Sequence, residues 1–377
     1  MNLVIPFLPL YVQLLGEHDQ VELWSSLAFS STFVTAAIFS PIWGKLADKY
    51  GRKPMLIRAS LGMAVIMILM GFVQDTYQLV GLRLLMGAVS GFIPASIILV
   101  ASQTPGNESG KALGILSTGG VSGTLIGPVL GGFLGDTIGL RHVFWITGII
   151  LVITFIITLF VKENFQQAKK AKVEQTGPPV RNKMVLKLTI SIFVTSFLLQ
   201  SAIMSIQPFI TLYVGDLSGP TEYVALLAGI VTAASGVSNI IAAPMLGKLS
   251  DKIGPERVLV RCLIFAAIVF AMHVLASDVA QLIVIRFLLG FGLGGLLPAI
   301  NTYLKKIIPA EFTGKAFGYN QTALHIGSVA GPLMGAQIAS TYGIPYVFMT
   351  SCILLLLNAA WVHFSKSKEA DRKRSAA

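Results

Sequence analysis

Runs of apolar residues separated by short polar stretches follow one another along almost the whole chain. Each run is close to the roughly 20 residues that an α-helix needs to cross ~30 Å of hydrocarbon. The pattern predicts twelve membrane spans in two sets of six: residues 1–15, 23–43, 54–73, 77–101, 111–135 and 143–161, then 188–214, 223–246, 258–277, 279–304, 315–340 and 345–364. We therefore expect an all-α polytopic membrane protein.

The longest polar stretch separates the two sets of spans. We expect an N-terminal six-helix half at 1–162, a flexible basic linker at 163–187, a C-terminal six-helix half at 188–364 and a basic cytoplasmic tail at 365–377. If the loop at 44–53 is cytoplasmic, 25 of the 28 Lys and Arg residues fall on that side. Positive charge in short loops marks the cytoplasmic face, which predicts a multi-pass protein of the plasma (inner) membrane with both termini in the cytoplasm.

The composition excludes several classes of protein. Charged residues make up only 12% of the 377 positions, about half of the ~25% found in soluble domains, so a soluble enzyme is excluded. The formal net charge of +11 is spread over short loops and forms no patch for nucleic acid. Cys262 and Cys352 both lie inside apolar runs, where cysteine packs as a small hydrophobic side chain. We expect no enzyme activity, no bound metal and no cofactor beyond a proton gradient.

The chain repeats itself after about 203 positions. Charged residues stay in register, as in Asp75 with Asp278 and Arg83 with Arg286. Repeats of this kind are typical of transporters and predict two six-helix bundles related by pseudo-two-fold symmetry. On the same alignment Met1 falls well inside the span at 188–214, so we expect helix 1 to be truncated by about 15 residues.

A polar stretch connects the second and third spans. Its glycines permit tight turns, and Asp48 can pair with Arg52 or sit at a helix N-terminus. The stretch resembles the loop 2–3 signature of the major facilitator superfamily, which implies a latch between the halves formed by Gly44, Asp48, Gly51, Arg52 and Lys53. The second half repeats it at Gly247, Asp251 and Gly254. There Pro255-Glu256 replaces Arg52-Lys53, so we expect the second copy to be weaker.

Glycines recur at helical spacing in the fifth span and are followed by a proline. Because glycine has no side chain, the series leaves a groove in the helix surface that another helix can approach closely. The proline removes one backbone hydrogen bond of the helix. The pattern resembles the antiporter motif of drug:proton antiporters in the same superfamily, here Gly114, Gly123, Gly127, Pro128, Gly131 and Gly132. Generic packing of small residues is the alternative. A related spacing occurs in the eleventh span at Gly318, Gly327, Gly331 and Gly335.

Proton exchange requires a group that takes up and releases a proton, yet no Asp or Glu falls near the middle of a predicted span. Arg83 begins a stretch that resembles the family motif R-x-x-Q-G, in which the Arg is linked to proton coupling, although Met86 replaces Gln. His325 lies near the middle of the eleventh span and suits reversible protonation. A structural Arg and a neutral, hydrogen-bonded His are the alternatives. The other coupling candidates, near outer helix ends, are Glu22, Glu222 and Asp136.

Polar side chains inside spans usually face the interior of a helix bundle. Four residues at i, i+4, i+7 and i+11 predict one face of helix 7 that lines a substrate cavity: Gln200, Met204, Gln207 and Thr211. Asn301 is expected on the face of helix 10 that carries Arg286. The remaining cavity candidates are Asn239 and Gln321. Contact with substrate and bonding between helices are both compatible with these positions.

The motifs together predict a secondary active transporter that exports drug-like, mostly apolar compounds in exchange for protons by alternating access. The 12 Met and 22 Phe residues supply adaptable apolar side chains for varied ligands. The expected partners are small-molecule drugs, protons and the lipid bilayer, without nucleic acid, and the chain is expected to be a monomer. The alternatives are a substrate-specific symporter of the superfamily for a sugar or organic anion, and a non-transporting membrane receptor.

Overall fold

The computed structural model describes residues 3–105, 108–164, 183–219, 221–308 and 313–375, and the regular structure in these ranges is helical, without strands. Up to residue 164 the α-helices are α1 Leu8–Leu14, α2 Val21–Tyr50, α3 Arg52–Met70, α4 Thr76–Val89, α5 Phe92–Gln103, α6 Ser109–Ile138 and α7 Leu140–Phe160. Those after residue 182 are α8 Lys183–Ser205, α9 Ile210–Ser218, α10 Val224–Ile253, α11 Pro255–Met272, α12 Val279–Gly294, α13 Leu296–Ile307, α14 Thr313–Tyr342 and α15 Ile344–Ser375. Short 3₁₀ turns precede α1, at Ile5–Phe7, and follow α11, at His273–Leu275.

The prediction of an all-α, polytopic membrane protein is confirmed. Within the described ranges, ten helical segments are long and apolar enough to cross a membrane. The apolar helical segment at Ile5–Leu14 is shorter than these. The 30-residue α14 is not among the ten, and it carries several polar side chains, including Asn320, Gln321 and His325.

Helices extend beyond the apolar runs into the polar stretches. α2 runs through most of the predicted loop at 44–53 and ends at Tyr50, so Gly44 lies inside a helix rather than in a turn. The turn itself is Gly51, with φ of +98°, a backbone conformation that glycine adopts without steric cost. The same arrangement ends α10, where Gly254 has φ of +95°. Charged residues can continue a helix past the hydrocarbon, so the end of an apolar run does not mark the end of the helix.

The chain groups into two compact units. The first comprises residues 1–173 and 219–230, and the second comprises 174–218 and 231–377. In the first unit α2 packs on α4 and α3 packs on α7, while in the second α8 packs on α14 and α11 packs on α15. Residues 165–182 of the predicted linker lie outside the described ranges.

The sequence repeat is reproduced in the hydrogen bonds of the two units. Asp75 accepts from the backbone N–H of Gln78 at 2.8 Å, and Asp278 accepts from that of Gln281 at 2.8 Å. Each glutamine side chain in turn accepts a hydrogen bond of 3.1 Å from the backbone N–H of the residue before the aspartate, which is Gln74 in the first unit and Ser277 in the second. Reciprocal caps of this type satisfy helix N–H groups that have no partner within the helix. The two capping boxes are therefore structural equivalents.

The same equivalence holds where helices cross. A side chain at Gly87 of α4 would collide with the backbone carbonyl of Thr32 in α2, and one at Gly290 of α12 would collide with that of Ser235 in α10. Only glycine allows backbones to approach this closely. The crossings occur at equivalent positions of the repeat.

Three predicted spans are interrupted by non-helical residues among the described residues, one of them at Gly295 between α12 and α13. α4 and α5 meet at Ser90 and Gly91, and Gly91 has φ of +118°. The Arg58 guanidinium donates to the Ser90 carbonyl at 2.9 Å, and its Cζ lies 3.5 Å from the centroid of the Trp43 ring. α8 and α9 are separated by 206–209, which include a proline that cannot donate a backbone hydrogen bond.

Candidate transport machinery

The latch sequence of the first unit forms a helix end, a one-residue turn and a helix start. The Asp48 carboxylate accepts a hydrogen bond from the Arg52 guanidinium, four residues further along the chain. The ammonium of Lys53 donates to the backbone carbonyl of Leu159, near the end of α7, at 2.9 Å. Both basic residues of the predicted latch are thus engaged inside the first unit.

The carboxylate of Glu163, which follows the end of α7, caps the start of α3. Glu163 accepts from the backbone N–H of Arg52 at 2.8 Å with one oxygen and from that of Lys53 at 2.7 Å with the other. The first N–H groups of a helix lack partners within the helix and carry partial positive charge, so a carboxylate is a favourable cap. Sequence reasoning missed Glu163, and its only signal was a carboxylate placed directly after the sixth apolar run.

The second copy of the latch starts its helix with a proline. α11 begins at Pro255, which has no N–H to satisfy, and the carboxylate of Glu256 lies 3.5 Å from the place that a side chain on Gly254 would take. Asp251 is exposed, and Gly247 lies inside α10 with open space beside it. The start of α11 therefore differs from that of α3, which is capped by a distant carboxylate.

The glycines of the antiporter motif divide between open and closely packed positions. The first two, Gly114 and Gly123, have no neighbour within 4 Å of the place that a side chain would take. Gly127 is buried. A side chain on either of the last two would collide with a backbone carbonyl, that of Leu3 for Gly131 and that of Ala225 for Gly132. The C-terminal part of the motif therefore packs backbone against backbone.

The first turns of α10, which group with the first unit, lie along this part of α6. Pro128 is buried there, and its carbonyl contacts Gly229 so closely that any side chain on Gly229 would collide with it. One turn beyond the motif, Asp136 accepts from the N–H of Ala225 at 3.2 Å and from that of Leu226 at 2.7 Å. Asp136 thus caps α10 as Glu163 caps α3. Both oxygens of this coupling candidate are engaged in the cap.

The related glycine spacing in α14 packs in a similar way within the second unit. The first glycine of the series, Gly318, has open space beside it. The later three contact α8 so closely that a side chain on any of them would collide with it; they are Gly327, Gly331 and Gly335. Small residues thus mediate close helix approach in α14 as they do in α6.

The predicted polar face of helix 7 is divided by the break between α8 and α9. Gln200 lies on α8 and donates to the Ser328 hydroxyl of α14 at 3.0 Å. Met204 lies one turn further along α8, Gln207 lies in the break, and Thr211 is fully buried on α9. The expectation of one continuous helical face is therefore wrong, because the helix is interrupted. Of the four residues, Gln200 takes part in bonding between helices.

The remaining cavity candidates are scattered over three helices. Asn239 is partly buried on α10, Asn301 is exposed on α13 and Gln321 is exposed on α14. Asn301 does not share a helix with Arg286, since Gly295 separates α12 from α13. A shared face would require an unbroken helix from Arg286 to Asn301. The coupling candidates Glu22 and His325 are partly buried on α2 and α14, and Glu222 is exposed ahead of α10.

Two arginines are buried at equivalent positions of the two units. Arg83 is 3% exposed on α4 and Arg286 is 5% exposed on α12. In both, Nε and Nη2 have no hydrogen-bond partner among the described residues. A buried donor without a partner costs about 1–3 kcal/mol. Neither arginine extends outward to solvent, as a structural arginine at the end of a span would.

A group of aromatic and polar side chains lies beside Arg286. The imidazole of His273 is fully buried and stacks on Phe348 at a centroid distance of 4.6 Å and an interplanar angle of 21°. The hydroxyl of Tyr213 donates to the His273 carbonyl at 2.8 Å, and the Cζ of Arg286 lies 6.0 Å from the Phe348 centroid. Sequence reasoning missed His273 because it lies at the end of its span, away from every motif.

The first unit contains the equivalent group without the histidine. The hydroxyl of Tyr11 donates to the Met70 carbonyl at 2.6 Å, and the rings of Tyr11 and Phe144 are 4.5 Å apart. Met70 therefore occupies the place of His273 in the repeat. The titratable side chain is a feature of the second unit only.

Sequence comparison relates the chain to known transporters. A profile described as Major Facilitator Superfamily matches residues 1–228 and 192–377. The chain is 45% identical over 363 residues to "Multidrug resistance protein MdtG" of Escherichia coli O17:K52:H18 (strain UMN026 / ExPEC), which covers 96% of this chain and 89% of that protein. The protein of the same name from Escherichia coli (strain K12 / DH10B) matches to the same extent.

Solved structures of low sequence identity share the fold. A bacterial homolog of the human lysosomal transporter Spinster, in an inward-facing and unoccupied conformation, matches with a TM-score of 0.78 at 14% identity, over 97% of this chain and 92% of that one. The nucleoside transporter NupG matches with a TM-score of 0.78 at 13% identity, over 97% of this chain and 95% of that one.

Proposed function

Since the chain belongs to the major facilitator superfamily, we propose that it exports drug-like, mostly apolar compounds in exchange for protons by alternating access. A member of this superfamily is a secondary transporter and not an enzyme. The observation that carries the proposal is the identity to multidrug resistance proteins over nearly the whole chain. The close packing of Gly131 and Gly132 supports it, because the antiporter motif is built of these glycines.

The two ends of the first unit have separate roles in this proposal. The turn at Asp48–Lys53 acts as a latch, held in place by Glu163, while the second copy around Asp251 contributes less. The antiporter motif provides the surface along which the first turns of α10 dock, with Asp136 as the cap. Arg83, His325 and Glu22 are candidates for coupling, and Gln321, Asn239 and Asn301 are candidates for the substrate path.

The sequence repeat supports a division into two halves, and the distribution of Lys and Arg supports an orientation in the membrane. We assign residues 1–162 and 188–364 to two halves that move relative to each other, joined by 163–187 and followed by a tail at 365–377. The equivalent capping boxes in the two units support this division. The bias of Lys and Arg toward alternate loops favours an inner-membrane protein with both termini cytoplasmic, and no feature of the sequence requires an oligomer.

An efflux assay tests the function. The purified chain is reconstituted into liposomes loaded with a fluorescent apolar dye, and a pH gradient is imposed that favours proton movement opposite to dye efflux. We expect efflux to be fast with the gradient and slow after an ionophore collapses it. Equal rates with and without the gradient would contradict proton coupling, and no flux above that of protein-free liposomes would favour the receptor alternative.

A further inference from the structure

The second unit contains a buried polar pair that the latch and the antiporter motif do not use. His273 is fully buried and Arg286 is 5% exposed, and both lie beside the ring of Phe348. Nε2 of the imidazole, and Nε and Nη2 of the guanidinium, have no hydrogen-bond partner among the described residues. Polar groups inside membrane spans are costly and commonly mark proton or substrate pathways.

The hydrogen bond of the imidazole defines which nitrogen is free. Nδ1 of His273 lies 2.8 Å from the backbone carbonyl of Val269, which can only accept, so Nδ1 carries the hydrogen. Nε2 of the neutral ring then has a lone pair, and no donor among the described residues faces it. It is therefore an atom that can accept a proton while the other hydrogen bond of the ring stays intact.

Burial of the imidazole and the charge of Arg286 both oppose a proton at this atom. Of the helices packed around His273, α12 contributes Arg286, the charged group that acts on the imidazole. α9 contributes Tyr213, which donates to the His273 carbonyl and is itself influenced by Asp216, and α15 contributes the apolar Phe348. A proton on Nε2 would place a second positive charge beside the same Phe348 ring as the guanidinium, where the dielectric constant is low. The proton and the guanidinium therefore repel each other.

We propose that His273 carries the coupled proton in the second unit. When Nε2 of His273 is not protonated, the positive charge of Arg286 lies beside the imidazole in place of the proton's charge. This rests on the proposed exchange of drug for protons. His273 lies two residues before the end of the apolar segment Pro255–Leu275. In this proposal a hydronium ion that reaches the site gives up a proton, an N–H bond forms at Nε2, and α12 moves Arg286 away; release of the proton to water reverses both changes.

The repeat supplies a variant that removes the titratable group without removing the packing. Met70 fills the equivalent place in the first unit, where the tyrosine bond to the backbone carbonyl and the aromatic contact are both present. His273→Met therefore copies an arrangement that the chain already uses. His18→Met is the matched control, because His18 is exposed between α1 and α2.

Dye efflux from proteoliposomes tests the proposal. We expect His273→Met to lose about tenfold or more of the efflux driven by a pH gradient and its residual efflux to be independent of the gradient. His18→Met should behave as the unchanged chain does. Gradient-driven efflux by His273→Met within about twofold of the unchanged chain would overturn the proposal.

A direct measurement of the proton separates this proposal from the proposed function. Imidazole ¹⁵N signals of the unchanged chain in lipid nanodiscs are recorded between about pH 8 and about pH 5, and the His273 signal is identified by its loss in His273→Met. A second N–H that forms on His273 in this range supports the proton site; if the efflux assay then shows no gradient-driven transport, the proposed function fails and the proton site does not. An imidazole that keeps one N–H throughout contradicts it, even if transport is proton-coupled.

Discussion

Single carboxylates hold helix starts at both ends of the first unit. Glu163 caps α3 and Asp136 caps α10, each with two oxygens on two consecutive backbone N–H groups. Hydrogen bonds to charged groups are stronger than neutral ones, so each carboxylate fixes the direction of the helix that it caps. The turn at Gly51 therefore depends on a residue more than 100 positions away in the sequence.

Replacing Glu163 by Gln tests this dependence. An amide has one oxygen and no charge, so one of the two N–H groups of α3 loses its partner. We expect a lower apparent melting temperature, corresponding to about 1–2 kcal/mol, and slower transport at normal expression. The exposed Glu108 provides the control, and Glu108→Gln should leave both quantities unchanged. Equal stability of the two variants would contradict a capping role for Glu163.

Sequence reasoning at this scale succeeded where the interaction is local. The pair of Asp48 and Arg52 follows from their separation of only four residues across one short turn, and the structure contains it. The cap by Glu163 and the group around His273 depend on which distant helices pack together, and one sequence does not specify that packing. His273 lies at the end of its span, whereas the sequence argument for a titratable group applies to the middle of spans.

At the scale of the element, continuity of the helices decides which side chains share a face. The stripe from Gln200 to Thr211 required one straight helix, but the break before α9 divides it. Asn301 and Arg286 are likewise separated by the break at Gly295. A single Gly or Pro in an apolar run is compatible with both a continuous and a broken helix, so the pattern alone could not locate these breaks.

The antiporter motif can be tested on one helix with two matched substitutions. A methyl group on Gly132 would collide with the Ala225 backbone and lie 2.7 Å from the Cα of Leu226, whereas one on Gly123 would meet nothing within 4 Å. We expect Gly132→Ala to abolish most transport because α10 can no longer dock on α6. Gly123→Ala should retain the melting temperature of the unchanged chain. If both variants transport and melt alike, close packing is not what the motif provides.

At the scale of the whole molecule, the repeat was the most informative sequence feature. It predicted equivalent residues, and the structure reproduces them in two capping boxes and two glycine crossings. The differences between the units are equally specific: Glu163 caps α3 whereas α11 begins at Pro255, and Met70 has its counterpart in His273. Departures from the repeat thus indicate where the two units have different tasks.

The central claim is that drug and proton move in opposite directions through this chain. The most direct measurement adds an apolar substrate outside proteoliposomes of equal internal and external pH, with a pH-sensitive dye inside. Substrate that enters down its gradient should drive protons out, so the interior should become alkaline, and Gly132→Ala liposomes should show only the slow change of protein-free ones. Acidification of the interior would indicate symport, and no change beyond that of protein-free liposomes would contradict proton exchange.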